Sequence, residues 1–156
     1  WRGLELIPRG QALAQRLAGV GIEYQWFAEL GGRRRPTPDS PNDGWRNSAF
    51  RGYADHLASA EFAAGLARLT ALAEQRRTAL MCAEVLWWRC HRSLLADVLQ
   101  VRGFEVLYLR DGSAPTPHPF TTPARLYEGE LSYRQGRGRL LNEAARRRGE
   151  QGELPL

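Results

Sequence analysis

Apolar residues recur at helical spacing in four stretches of the chain. Over residues 10–19, Leu13, Leu17 and Val20 share a face, and Gly19 and Gly21 predict where that helix stops. Asn47 or Ser48 is placed to cap a helix over 49–58, whose inner face carries Phe50, Tyr53, Ala54 and Leu57. A longer helix is predicted from Ser59 to Arg76 on the stripe Phe62, Leu66, Leu69 and Leu72, and another from Ser93 to a stop at Gly103. Three shorter runs carry the β signal instead. They are Ile22–Phe27, Thr78–Cys82 and Phe104–Leu109, rich in β-branched, aromatic or continuous apolar residues. Residues 124–133 predict a small hairpin that turns at Glu128-Gly129.

Strands alternating with helices predict an α/β fold: a mostly parallel sheet sandwiched by helices, with a small C-terminal hairpin. One domain over residues 1–133 is expected, followed by an Arg, Gly and Glu rich tail over 134–156 that is expected to be flexible, with a helical stretch at 140–148. Parallel sheets take ligands at the carboxyl ends of their strands. That rule singles out the loop after Phe27 and the loop after Met81.

Composition changes this picture little and charge changes it more. At 43% hydrophobic and 25% charged, the 156 residues suit a soluble globular protein. No apolar run reaches the ~20 residues of a membrane span, and no secretory signal is visible, so a cytoplasmic location is expected. The net charge is +5, and all 22 basic residues are Arg. A GC-rich genome, coding Arg where others use Lys, would account for the absence of Lys. It does not explain the clusters at Arg33–Arg35, at Arg89 with Arg92, and at Arg146–Arg148. A planar guanidinium suits phosphate and carboxylate, so phosphate, a nucleotide or nucleic acid is the expected kind of partner. The chain begins at Trp1 rather than Met, and a preceding N-terminal segment is expected.

The candidate chemistry lies between Cys82 and Arg92. Cys82 ends a strand, and a helix start with Arg89, Arg92 and His91 nearby is expected to lower a thiol pKa and attract an anion. The spacing is one residue longer than a phosphatase loop, and no glycine is present for close backbone approach. Cys82 and Cys90 also read as small core hydrophobes. As a redox pair they need Cα atoms within ~7 Å. As zinc ligands with His91 they lack a fourth partner of recognisable spacing, so no metal is assigned. Catalytic candidates are Cys82, Glu84 and His91. Substrate-binding candidates are Glu29, Arg33, Asn42, Trp45, Arg46, Arg51, Arg89, Cys90 and Arg92. Trp45 in a basic loop suits base stacking. His56 and His118 belong to no motif, and His56 is expected at the surface.

Several stretches together resemble the DUF488 family: Glu29-Leu-Gly-Gly-Arg-Arg, Asp39-Ser-Pro-Asn42, Gly44 to Asp55, Met81-Cys-Ala-Glu84 and Cys90-His-Arg-Ser-Leu-Leu-Ala-Asp97. The likeness runs over about residues 5 to 133. It implies an α/β sandwich, a cytoplasmic protein of prokaryotic type, and a shared site at Cys82, Glu84, Cys90, His91 and Arg92. It supplies no cofactor and no reaction. It also implies a further strand and helix ahead of Trp1, without which a sheet edge would lie open. Three functions stay open: an enzyme acting on an anionic substrate, a nucleic-acid-binding or regulatory module, and a thiol redox or metal-responsive protein.

Overall fold

The computed structural model describes residues 9–84, 86–110 and 112–142. Four helices form close to where the periodicity places them: α1 (Arg9–Ala18), α2 (Ser48–His56), α3 (Ala60–Gln75) and α4 (Arg92–Val101). Two of them begin on side-chain caps. Asn47 accepts hydrogen bonds from Ala49 N and Phe50 N, and Ser59 accepts one from Phe62 N. Each cap answers N–H groups that a helix start leaves unpaired, worth ~1 kcal/mol apiece. The apolar stripes of α2, α3 and α4 close on a common core of Leu30, Tyr53, Phe62, Leu66, Leu69, Leu94, Leu95 and Leu99, joined by Ala124 and Tyr133.

The sheet differs from the expectation. Among the described residues there is no parallel ladder and no sheet sandwiched by helices. Strand β1 (Leu107–Tyr108) pairs antiparallel with β2 (Thr116–Pro117). Strand β3 (Arg125–Tyr127) lies between β4 (Glu130–Ser132) and β5 (Arg139–Leu140), also antiparallel. The predicted strands 22–27 and 78–82 join no ladder. Of 104–109, two residues do. Local composition marks a segment as able to extend but not which edge it will meet, because pairing depends on distant residues. Without sheet neighbours, these segments leave large apolar side chains in solvent, including Ile22, Trp26 (76% exposed), Met81 and Leu109 (72% exposed).

The C-terminal piece is a three-stranded sheet rather than a hairpin alone. The β3–β4 turn uses Glu128 at φ 51° and Gly129 at φ 85°, the left-handed pair of a tight hairpin turn. Strand β5 lies inside the stretch expected to be a flexible tail, and it brings residues 134–142 into the fold. Residues 143–156, with most of the expected helical stretch and Arg146–Arg148, lie outside the described residues.

One buried polar network ties this sheet to α4. Asp97 is fully buried and accepts from His118 Nε2 (2.8 Å), Thr121 N (2.9 Å), Thr121 Oγ1 (2.5 Å) and Tyr133 OH (2.8 Å). His118 in turn lies 2.7 Å from Tyr108 OH. Burial, and then the carboxylate beside it, push the Tyr133 phenol well above its ordinary pKa. His118 is therefore a core histidine in a definite role. His56 is buried too, against the expectation, with Nε2 2.7 Å from Glu29 O and Nδ1 3.0 Å from Ser59 Oγ. No described helix is long and apolar enough to cross a membrane.

Candidate functional site

The loop between Cys82 and α4 folds back through a 3₁₀ turn at Trp87–Arg89, closed by Arg89 N to Leu86 O and Cys90 N to Trp87 O. Cys90 then adopts an extended backbone and His91 a helical one. That change of conformation turns two adjacent side chains toward the same point. The sulfurs of Cys82 and Cys90 and an imidazole nitrogen of His91 all lie within 4.8 Å of one another. Cys90 Sγ is 3.5 Å from His91 Nδ1. Two residues adjacent in sequence are thus brought, with Cys82, to one point.

Cys90 is 3% exposed, whereas Cys82 is only half-buried. Arg92 organises the inner thiol. Its backbone N–H and its Nε donate to Cys90 Sγ at 3.5 and 3.3 Å, and its Nη2 donates to Glu84 O. Ser93 does not open α4 as a cap. It is buried, and its Oγ donates to Cys90 O at 2.9 Å, fixing the peptide that carries the sulfur. The imidazole is fixed as firmly. The Tyr53 ring packs 5.0 Å from it, and Tyr53 OH donates to Leu30 O. Gly32 also packs against it: a Cβ there would stand 2.1 Å from Nδ1, 2.3 Å from Cγ and 2.7 Å from Cε1. A larger residue at 32 therefore cannot coexist with this ring position.

The electrostatics differ from a classical activated thiol. Burial pushes the Cys82 thiol above its ordinary pKa, against the lowering effect of the Glu84 N–H and of Arg92, and the neighbouring Cys90 thiol adds to the rise. Burial and then the Arg92 charge hold His91 below the usual imidazole value. The expected arginine-depressed thiolate is thus not what the loop builds at Cys82. Both effects favour neutral groups: a protonated thiol and an uncharged imidazole.

The other candidates do not converge on this cluster. Glu84 is exposed, and its Oε1 accepts from Leu86 N; its backbone belongs to the site, the N–H toward Cys82 and the carbonyl toward Arg92, but its carboxylate does not. Glu29 pairs with Arg68 at 2.7 Å. Arg33 and Arg89 are exposed. Asn42 serves Asp55, which also accepts from Thr37 and Ser40 and so straps the 37–42 loop onto α2. Burial works to raise the Asp55 pKa, but these hydrogen bonds outweigh it and hold it below the ordinary value. Arg51 Nε donates to Trp45 O at 2.9 Å. Trp45 packs against Phe50 and Tyr133, and with Arg46 it lines a separate open hollow of about 660 Å³ that includes no residue of the thiol cluster. The expected single site is thus two places.

Sequence reasoning missed Gly32, Tyr53, Asp97 and His118. Asp97 had a usable signal, an acid among the apolar residues Leu94, Leu95 and Leu99 of one helix. Gly32 and Tyr53 lie in stretches that carry the family resemblance, but nothing local signals a role beside His91, a partner 59 and 38 positions away (91 minus 32 and 91 minus 53).

Set against known proteins, residues 7–99 match a family described as "Domain of unknown function DUF488". No curated protein and no solved structure matches the chain.

Proposed function

The chain belongs to the DUF488 family of domains of unknown function, and with no activity to carry over from relatives, we propose that it is a two-thiol redox protein. Cys82 is its reacting sulfur and Cys90 its resolving one. The observation that carries this reading is the approach of both sulfurs and the imidazole to within 4.8 Å of one another. Half-buried Cys82 is open to a partner, and Cys90 is shielded from one. That division of exposure suits an attacking and a resolving thiol.

The step balances as thiol–disulfide exchange. Cys82, as thiolate, attacks one sulfur of an oxidised partner, forming a mixed disulfide and releasing the first partner thiolate. Cys90, with His91 Nδ1 at 3.5 Å to receive its proton, attacks the Cys82 sulfur and releases the second. The Cys82–Cys90 disulfide remains, and the two thiol protons end on the released thiols. Two electrons have passed to the partner. Burial disfavours the Cys82 thiolate, so the reduced form is held as the thiol until a partner is attacked.

An enzyme acting on an anion, or a nucleic-acid module, has less support. Arg92 already spends Nε and Nη2 within the protein, and Arg46 lines the separate hollow beside Trp45. The test uses an aromatic disulfide with the reduced protein. Paired thiols release two aromatic thiols per chain and retain none, whereas Cys90→Ser releases one and keeps one. Two groups retained on the native chain would show independent thiols and refute the reading.

A further inference from the structure

We propose that the same three side chains, in the reduced protein, form a binding site for one thiophilic divalent cation such as zinc, with a fourth coordination position left to solvent or ligand. The inference rests on the convergence that the redox reading also uses, but it requires different chemistry of the site and is tested separately.

The donor set is two cysteine sulfurs and one imidazole nitrogen, a combination suited to zinc and to cobalt(II). A tetrahedral ion with bonds of about 2.3 Å to sulfur and 2.0–2.1 Å to nitrogen holds two sulfurs about 3.8 Å apart, and a sulfur and a nitrogen about 3.6 Å apart. Cys90 and His91 already stand at 3.5 Å, and no ligand atom is more than 4.8 Å from another. The site thus needs a contraction of about an ångström, which half-buried Cys82, on a segment outside any helix or ladder, can supply.

Two further observations mark a built site rather than a chance grouping. The first is that Cys90 Sγ already receives N–H groups from the Arg92 backbone and Nε. Such donors spread the charge of a metal-bound thiolate, the outer-shell support that metal sites carry. The second is that the imidazole is packed by the Tyr53 ring and by the bare backbone of Gly32, so its ring is oriented before any ion arrives. Binding balances as one divalent cation taken up by two thiols and a neutral imidazole, with two protons released.

The test titrates cobalt(II) into the reduced, oxygen-free protein and reads thiolate-to-metal absorption and proton release. One cobalt per chain is expected, displaced by zinc, with about two protons released per ion. Loss of an outer-shell group typically weakens metal sites about 10–100-fold, so removing a direct ligand in Cys82→Ser or His91→Ala is expected to weaken binding by more than about 100-fold. Cys82 is half-buried, so Cys82→Ser should keep the native circular dichroism and serve as the folded control. Absence of thiolate absorption from the native reduced protein, or absorption unchanged in Cys82→Ser, overturns the metal site. If the aromatic-disulfide result stands in that case, the redox reading survives alone. If cobalt binds while the thiols fail to pair on oxidation, the metal site stands and the redox reading falls.

Discussion

Replacing Asp97 should unfold more of the protein than replacing any residue of the thiol cluster. The carboxylate has no solvent exposure and takes four hydrogen bonds, from His118, Tyr133 and twice from Thr121. In Asp97→Ala those four donors stay buried without an acceptor. Each unsatisfied buried group costs about 1–3 kcal/mol, so the sum is about 4–12 kcal/mol before relaxation. A domain of this size has about 5–15 kcal/mol in total. The alanine variant should therefore lose its cooperative urea transition or keep a small remnant of it. Asp97→Asn keeps the shape and one acceptor oxygen but turns the other toward Thr121 or Tyr133 as a donor, so an intermediate loss of about 2–5 kcal/mol is expected. The assay is urea unfolding followed by far-UV circular dichroism. The carboxylate joins α4 to the β3–β4 sheet through Tyr133, so that sheet should also lose hydrogen-exchange protection first. A loss under about 1 kcal/mol in Asp97→Ala would refute the argument that this network holds the C-terminal sheet to the helical core.

Two other outcomes follow from the site itself. Gly32→Ala puts a methyl within 2.3 Å of two His91 ring atoms, so it should cost about 1–3 kcal/mol by overpacking and displace the imidazole. Gly10→Ala, with its nearest neighbour at 3.6 Å, should be neutral or stabilising in the same urea series, and equal behaviour of the two variants would contradict the packing described. The Cys82 thiol has a folded pKa raised above its ordinary value of about 9.0. Its alkylation rate, resolved by peptide, should therefore reach half-maximum above that pH. By linkage, the stability this thiol contributes is full below its ordinary value and is lost as pH rises through the higher folded one. A half-maximum near neutral pH would show an activated thiolate instead.

The helices were legible because everything that makes them is local. The stripe Phe62, Leu66, Leu69 and the caps Asn47 and Ser59 stand within a few positions of the turns they stabilise. The parallel sheet was not, because Ile22–Phe27 and Thr78–Cys82 carry strand composition without stating an edge partner, and among the described residues they find none. The site divides in the same way. Cys82, Cys90, His91 and Arg92 lie in one loop, and their convergence follows from a single 3₁₀ turn. Asn42, Trp45 and Arg46 share a basic loop with Arg33, with Arg51 on the helix that follows, and the charge pattern together with the expected carboxyl end of a parallel sheet joined them to the thiols. Hydrogen bonds from Asn42 to Asp55 and from Arg51 to Trp45 O show that this loop is instead fastened to α2.

The central claim is that one loop brings the two sulfurs within 4.8 Å of each other, and mapping the disulfide tests it most directly. The protein is oxidised mildly at high dilution, digested without reductant and analysed by mass. The account predicts a single Cys82–Cys90 cross-link within one chain, lighter by two hydrogens, formed in a yield independent of protein concentration and reversed by dithiol. Cross-links only between chains, or two thiols that remain free while exposed to the oxidant, would contradict it.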